Sequence, residues 1–216
     1  MSDPDATRSE LPTLREQRRD ELRRRLSDTA TALFLERGFG GVTVAEIAAA
    51  CGVTEKTVFN HFRTKESLLV DRWDDTIAAL GTALAAPDVP VVDSTVRLLD
   101  RELDFLTERG TATATTMRRV ARFGQLLWST PELVDHNQRG LQRLTTAALA
   151  ALATRFATST HDPATRITAY AVAGLVQVFY ASVARHVTTH DAQRCRRAVR
   201  RDVRRAAQQL RAGVVG

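Results

Sequence analysis

Residues 54–62 read TEKTVFNHF, and most of their side chains can exchange hydrogen bonds or charge. Val58 and Phe62 are four positions apart, so on a helix they share one inner face. Glu55, Lys56, Phe59 and Asn60 then point outward. A carboxylate can accept from cytosine N4, an ammonium can donate to guanine O6 and N7, a carboxamide can pair with adenine, and a phenyl ring can pack on a thymine methyl. Thr43, Thr54, Thr57, His61 and Lys65 fall at helix starts or flanks, where hydroxyl, imidazole and ammonium groups suit phosphate oxygens. Both lysines of the chain, Lys56 and Lys65, lie in this short region.

A helix this short must be held by its neighbours. Before it, Thr43-x-x-Glu46 forms a capping box opening the segment VAEIAAAC, with Val44, Ile47, Ala48 and Cys51 turned inward. Gly52 breaks that helix, Val53 plugs the corner, and Thr54 caps the next. Two short helices joined by a tight Gly-containing turn make a helix-turn-helix, whose second helix is the one that enters a major groove. Upstream, a helix beginning near Arg15 lines Leu22, Leu26, Ala30, Leu33 and Phe34 on one face and stops at Gly38, ahead of a Gly40-Gly41 turn. Downstream, Thr64 is read as capping a fourth helix in which Leu68, Leu69, Trp73, Ile77, Leu80 and Leu84 keep helical spacing. Residues 1–14, with Pro4 and Pro12 and no periodicity, read as a loose arm.

Pro87 and Pro90 place a connection near 86–92. Beyond it, helical runs are expected near 92–109, 112–128, 131–158, 163–188 and 191–212, separated at Gly110, at Ser129 to Pro131, at His161 to Pro163, and at His190-Asp191. No strand pattern competes. The expected fold is all-α, with about nine helices: an arm over 1–14, a helix-turn-helix domain over 15–66, and a larger helical domain over 67–216.

The chain's formal charge of +6 does not lie in the candidate reading helix. Acids and bases balance over residues 1–70 and again over 71–190. The excess follows residue 190, where eight arginines meet only Asp191 and Asp202. Cys51 and Cys195 have no C-x-x-C partner, which excludes a disulfide framework or zinc site and suits a reducing compartment. The first residues hold no apolar run resembling a secretory signal, and ITAYAVAGLVQVFYASVA, residues 167–184, reads as a buried bundle helix rather than a membrane span. A cytoplasmic location is therefore expected. His61, His136, His161, His186 and His190 form no nucleophile or carboxylate constellation, and no phosphate loop or metal spacing is present. Neither catalysis nor a cofactor is expected.

LFLERGFGGVTVAEIAAACGVTEKTVFNHFRTKESLL, residues 33–69, resembles the DNA-binding module of the tetracycline-repressor (TetR) family. The features that carry the resemblance are the R-G-F turn, the capped T-V-x-x-I-A helix, the G-V-T turn and the run T-V-F-x-H-F-x-x-K-E-x-L. It implies that Thr43, Thr54, Thr57, His61 and Lys65 grip the phosphate backbone, and that Ala45, Glu55, Lys56, Phe59 and Asn60 read bases. Many members have Gly or Pro where this chain has Lys56, and Tyr where it has Phe59.

The resemblance further implies a dimeric regulator that binds a pseudo-palindromic duplex operator as a repressor and is released by a small-molecule effector. Its later helices would then sense the ligand and join two copies through about 163–188 and 191–212. For that contact, Ala169, Ala173, Gly174, Ala181 and Ala184 would allow close approach, with Val172, Val176 and Tyr180 supplying area. The last helix keeps an apolar line at Cys195, Val199, Val203, Ala206 and Leu210. Its arginines must splay apart, meet acids such as Asp100, Glu102 or Asp104, or stay solvated, the last being the plainest reading. Candidate pocket residues are Phe105, Met117, Phe123, Gln125, Trp128, His136, Tyr170, Gln177 and Phe179. An activator of the same type, or an architectural nucleic-acid binder acting through the Arg-rich end, are the alternative functions.

Overall fold

The computed structural model describes residues 13–70, 73–108, 114–187 and 191–213, with the backbone alone at 108 and 114–120. Among these residues the chain forms nine α-helices and one 3-10 turn, and no strand. It divides into two compact units between Leu69 and Val70.

The first unit holds α1 (Leu14–Arg37), α2 (Val44–Ala50), α3 (Glu55–His61) and the 3-10 turn Glu66–Leu68. Of the expected arm, only Thr13 and Leu14 fall within the described residues, and they already belong to the helix start: Thr13 and Glu16 form a capping box. Leu26, Ala30 and Phe34 of α1 are fully buried with Ile47, Val58 and Phe62. Gly38 ends α1 at φ 77°, donating its N–H to Phe34 O at 2.9 Å.

The expected fourth helix from Thr64 does not form as one element. Thr64 Oγ1 does accept from Ser67 N–H at 3.3 Å, and Ser67 Oγ donates to Thr64 O at 2.6 Å, but they cap only a 3-10 turn. The Leu68 carbonyl, which a continuing helix would bond to its own next turn, instead accepts from Ser27 Oγ of α1 at 3.0 Å. A long-range hydroxyl therefore ends the helical spacing that Leu68 and Leu69 share with Trp73.

The second unit comprises α4 (Trp73–Ala85), α5 (Val91–Glu108), α6 (Ala114–Ser129), α7 (Pro131–Phe156), α8 (Pro163–His186) and α9 (Ala192–Arg211). These bounds follow the expected runs closely; the expected break at Gly110 lies outside the described residues. Pro131 and Pro163 both occupy first-turn positions, where a missing N–H is harmless. Leu80, Leu84, Leu99, Leu103, Leu144, Leu152, Val172, Val176 and Phe179 build the core.

Arg155 closes the α4–α5 connection. Its guanidinium donates to Leu84 O at 3.1 Å, to Pro87 O at 3.1 Å and to Val89 O at 2.9 Å. Few side chains other than arginine present that many donors in a fixed fork. Arg155→Ala is expected to lower stability by about 1–3 kcal/mol, the range for charge-assisted bonds that are partly solvated. Thermal melting would show it, and DNA affinity at a temperature where the variant is folded should not change.

α8 is the one described helix long and apolar enough to cross a membrane by length and composition. It packs against α5, α7 and α9. This placement corrects the expected role of its small residues. Ala169, Val172, Ala173 and Val176 face the chain's own core, and Cys195, Val199 and Val203 of α9 are buried there too. The outer stripe of α8 is instead Ile167 (66% exposed), Tyr170 (53%), Val178 (37%) and Ala181, with Gly174 between them. Periodicity could not separate the two faces, because α8 is apolar almost all round.

α8 and α9 are also tied by a polar clasp. Ser182 Oγ and His186 Nε2 both meet Asp202 Oδ2, at 2.8 and 2.9 Å. Burial pushes the Asp202 carboxyl up, but the bonds from His186 and Ser182 outweigh it and hold it below the ordinary carboxylate range. The carboxylate stands between hydroxyl and imidazole, so this is a brace and not a nucleophile activated by a base.

Candidate nucleic-acid interface

The candidate site begins with two threonines that start α2 and α3. Thr43 N–H and Thr43 Oγ1 both donate to Glu46 Oε2, at 2.7 and 2.9 Å, while Glu46 N–H returns a bond to Thr43 Oγ1 at 3.2 Å. Arg37 joins Glu46 to the preceding turn by bonding its carboxylate and Gly41 O. Gly41 has no room for a side chain, since a Cβ there would stand 2.4 Å from Arg37 O. Backbone and hydroxyl donation from Thr43 and the Arg37 guanidinium hold the Glu46 carboxyl at about 2, against an ordinary 4.5.

A carboxyl whose folded value lies below its unfolded one adds stability above the unfolded value and loses it as pH falls through the folded one. The Glu46 contribution is therefore expected intact above about pH 4.5 and lost as pH falls toward about 2. Melting temperatures of wild type and Glu46→Gln measured along that range check it. The gap between the two proteins should narrow as the pH drops, and a constant gap would contradict the assignment.

Between the helices, Gly52 takes φ 65°, and Val53 N–H bonds back to Ala48 O at 3.0 Å. Thr54 then caps α3: its Oγ1 accepts from Thr57 N–H at 3.2 Å, and the two hydroxyls lie 2.9 Å apart. One hydroxyl proton is used between them and the other can donate outward. Thr43 is different, because its hydroxyl proton already goes to Glu46; donating it to a phosphate requires that bond to break.

α3 is docked by Val58, with Phe62 at its C-cap, both essentially buried, and it exposes Glu55, Lys56, Phe59 and Asn60. Ala45 is exposed on α2. Phe59 is 47% exposed, a large apolar ring standing among charged and amide groups.

His61 is half-buried, and its Nδ1 is sealed from solvent without a hydrogen-bond partner. Burial first, then the positive charges of Arg19 and Arg23, push its imidazole down from 6.5, so it meets a phosphate as a neutral donor. Lys65 is engaged within the unit. Its Nζ donates to Phe39 O at 2.6 Å and lies 4.3 Å from the Phe39 ring centroid, leaving two protons for outside acceptors.

Three residues that support the site were missed in the sequence. Arg23 donates to His61 O at 3.0 Å and lies over the Phe62 ring, fastening the end of α3. Arg25 donates to Cys51 O at 3.0 Å at the end of α2, and Arg37 braces Glu46. The signal was the Arg23-Arg24-Arg25 run beside buried Leu26, since cations flanking a core position are placed to bond the exposed carbonyls of neighbouring helix ends.

The pocket candidates scatter. Phe179 is core; Phe105 and Phe123 are half-buried; His136 is half-buried with Nε2 3.3 Å from Val70 O. The Met117 side chain lies outside the described residues. Gln125, Trp128, Tyr170 and Gln177 are exposed, which corrects the expectation that these amides sit buried and need internal partners. Water satisfies them on the outer faces of α6 and α8, where helical spacing alone cannot tell polar rim from pocket wall.

Residues 26–71 match the family model described as bacterial regulatory proteins, tetR family. Among curated relatives, the repressor DhaR of Mycobacterium sp. (strain GP1) is 33% identical over 78 residues, which cover 34% of this chain and 39% of that protein. The repressor KstR2 of Mycobacterium tuberculosis is 33% identical over 76 residues, 35% of this chain and 36% of that one. The matched stretch thus spans well under two thirds of these relatives. Two solved structures share the fold across nearly the whole chain. SmeT, in a complex with triclosan, gives a TM-score of 0.56 at 19% identity over 89% of this chain and 90% of its own. NalD of Pseudomonas aeruginosa, the secondary repressor of the MexAB-OprM multidrug efflux pump, gives 0.54 at 20% over 87% and 97%.

Proposed function

We propose that this chain, which belongs to the tetR family of bacterial regulatory proteins through residues 26–71, is a cytoplasmic, dimeric transcriptional repressor that a small molecule releases from its operator. The observation that carries the reading is the outer face of α3, where Glu55, Lys56, Phe59 and Asn60 stand exposed on a helix docked by Val58 and Phe62. Glu55, Lys56, Phe59 and Asn60, with Ala45, read base edges in a major groove. The hydroxyl pair Thr54 and Thr57, neutral His61 and the two remaining protons of Lys65 meet phosphates, and Thr43 joins them only by releasing Glu46. That its curated relatives are regulators rather than enzymes supports the same reading.

The dimer contact centres on the outer stripe of α8, Ile167, Tyr170, Gly174, Val178 and Ala181, where apolar area is exposed and glycine permits close approach. Ile167→Asp with Val178→Asp is expected to give a folded monomer with weakened operator binding, read by sedimentation and by duplex titration. The effector acts through its differential affinity for two states of the second unit, and no more than that difference can shift the balance. A complex of the structural relative SmeT with triclosan supports an apolar effector.

Recovery of genomic fragments bound by the protein, with and without a panel of apolar compounds, tests the function. A few fragments carrying inverted repeats should be enriched, and at least one compound should release them. Fragments no different from the input would overturn the reading.

A further inference from the structure

Of the eight arginines after residue 190, three are engaged with α5. Arg200 bonds Asp100 at 3.3 Å and Asp104 at 2.7 Å, Arg196 donates to Thr107 Oγ1 at 2.6 Å, and Arg211 pairs with Asp93. The other five, Arg194, Arg197, Arg201, Arg204 and Arg205, are exposed. At about 100° per residue they fall within one arc of about 100°, opposite the buried line Cys195, Val199, Val203 and Ala207. No carboxylate lies in that arc. Asp191 accepts from Arg194 N–H as the helix cap, and Asp202 stands at the α8 seam with Ser182 and His186. Arg201, 70% exposed, reaches Asp202 only at 3.4 Å.

The arrangement works against the helix that carries it. Arg194 and Arg197, Arg197 and Arg201, Arg201 and Arg204, and Arg201 and Arg205 are like charges at three- or four-residue spacing, which destabilises a helix. The chain's whole net charge of +6 resides in this segment. A polyanion relieves that repulsion. From Arg194 to Arg205 the helix rises about 16 Å, the axial span of about five phosphates on one strand at 3.4 Å each. A membrane surface fits less well, because an interfacial helix needs an apolar face to insert, and that of α9 is buried in the core.

We propose that the Arg194–Arg205 ridge of α9 is a second, sequence-independent contact for the phosphate backbone of nucleic acid, distinct from α3. The choice of duplex DNA as its partner rests on the regulator reading; the charge argument does not.

The test uses the full chain and a short labelled duplex of random sequence, titrated across a salt series. Replacing all five arginines by glutamine, with helicity checked by circular dichroism, should weaken random-duplex binding at low salt by at least about tenfold and flatten the log–log salt slope by about 3–4. Preference for an enriched fragment over the random duplex should survive. If the fivefold variant fails to fold, Arg197→Gln and Arg204→Gln singly should each reduce the slope by about 0.9. Lys56→Ala should do the reverse, losing preference while keeping random-duplex affinity. Unchanged affinity and slope in the glutamine variants would overturn the ridge, as would tighter binding of poly-glutamate or phosphatidylserine vesicles than of duplex at equal salt. Ridge variants that lose random-duplex binding while Lys56→Ala alters nothing would keep the ridge and reject α3 as the reading element.

Discussion

Gly140→Ala is expected to destabilise the second unit by about 1–3 kcal/mol, the range for overpacking a filled core. In a helix interior the same exchange normally stabilises by about 0.5–1 kcal/mol, so the sign itself is diagnostic. Gly140 lies inside α7, and a Cβ there would stand 2.3 Å from Cε2 and Nε1 of Trp73 and 2.5 Å from its Cδ1. The indole cannot readily retreat, because Nε1–H donates to Asn137 Oδ1 at 3.3 Å and the ring packs 6.0 Å from that of Tyr180. The check is a double-mutant cycle by chemical denaturation. With Trp73→Leu the clash is removed, and Gly140→Ala should become neutral or stabilising. A cost that persists in the leucine background would refute the packing argument.

The largest effect on binding is expected from Lys56→Ala combined with Phe59→Ala. Each removes an outward group of α3 without touching Val58 or Phe62, so the fold should persist. Each lost base contact is worth about 1–3 kcal/mol, or about 5- to 150-fold in affinity, and a symmetric dimer loses it in both half-sites. Titration of an enriched fragment should show the loss, while a random duplex should bind as before. Equal losses on both duplexes would mean that these side chains touch phosphates and not bases.

How much of this was legible in the sequence depends on how local the signal was. The capping boxes at Thr13 and Thr43, the Gly38 stop, the Gly52 corner and the inner pair Val58 and Phe62 are all set within four residues, and spacing reveals such features. The break after Leu68 was not legible, because it depends on a hydroxyl 41 positions away, Ser27 on α1. The dual duty of Lys65 was hidden for the same reason, since its partner is the Phe39 carbonyl. The arginines of the last segment were split by partners on α5: Asp100 and Asp104 were foreseen as candidates, but which arginines they would take was not. In the second unit, α8 is apolar around its circumference, so no pattern marked Ala169 and Val172 as inner and Ile167 and Val178 as outer. The exposed positions of Gln125 and Gln177 follow from the same ambiguity.

The claim on which the rest depends is that α3 enters a major groove. Dimethyl sulfate protection of an enriched fragment measures this directly, because guanine N7 opens to the major groove and adenine N3 to the minor. The account predicts N7 protection in two groups centred about 10–10.5 base pairs apart, or a multiple of that spacing, lost from both groups with Lys56→Ala. Protection confined to adenine N3, or N7 protection unchanged by Lys56→Ala, would contradict it.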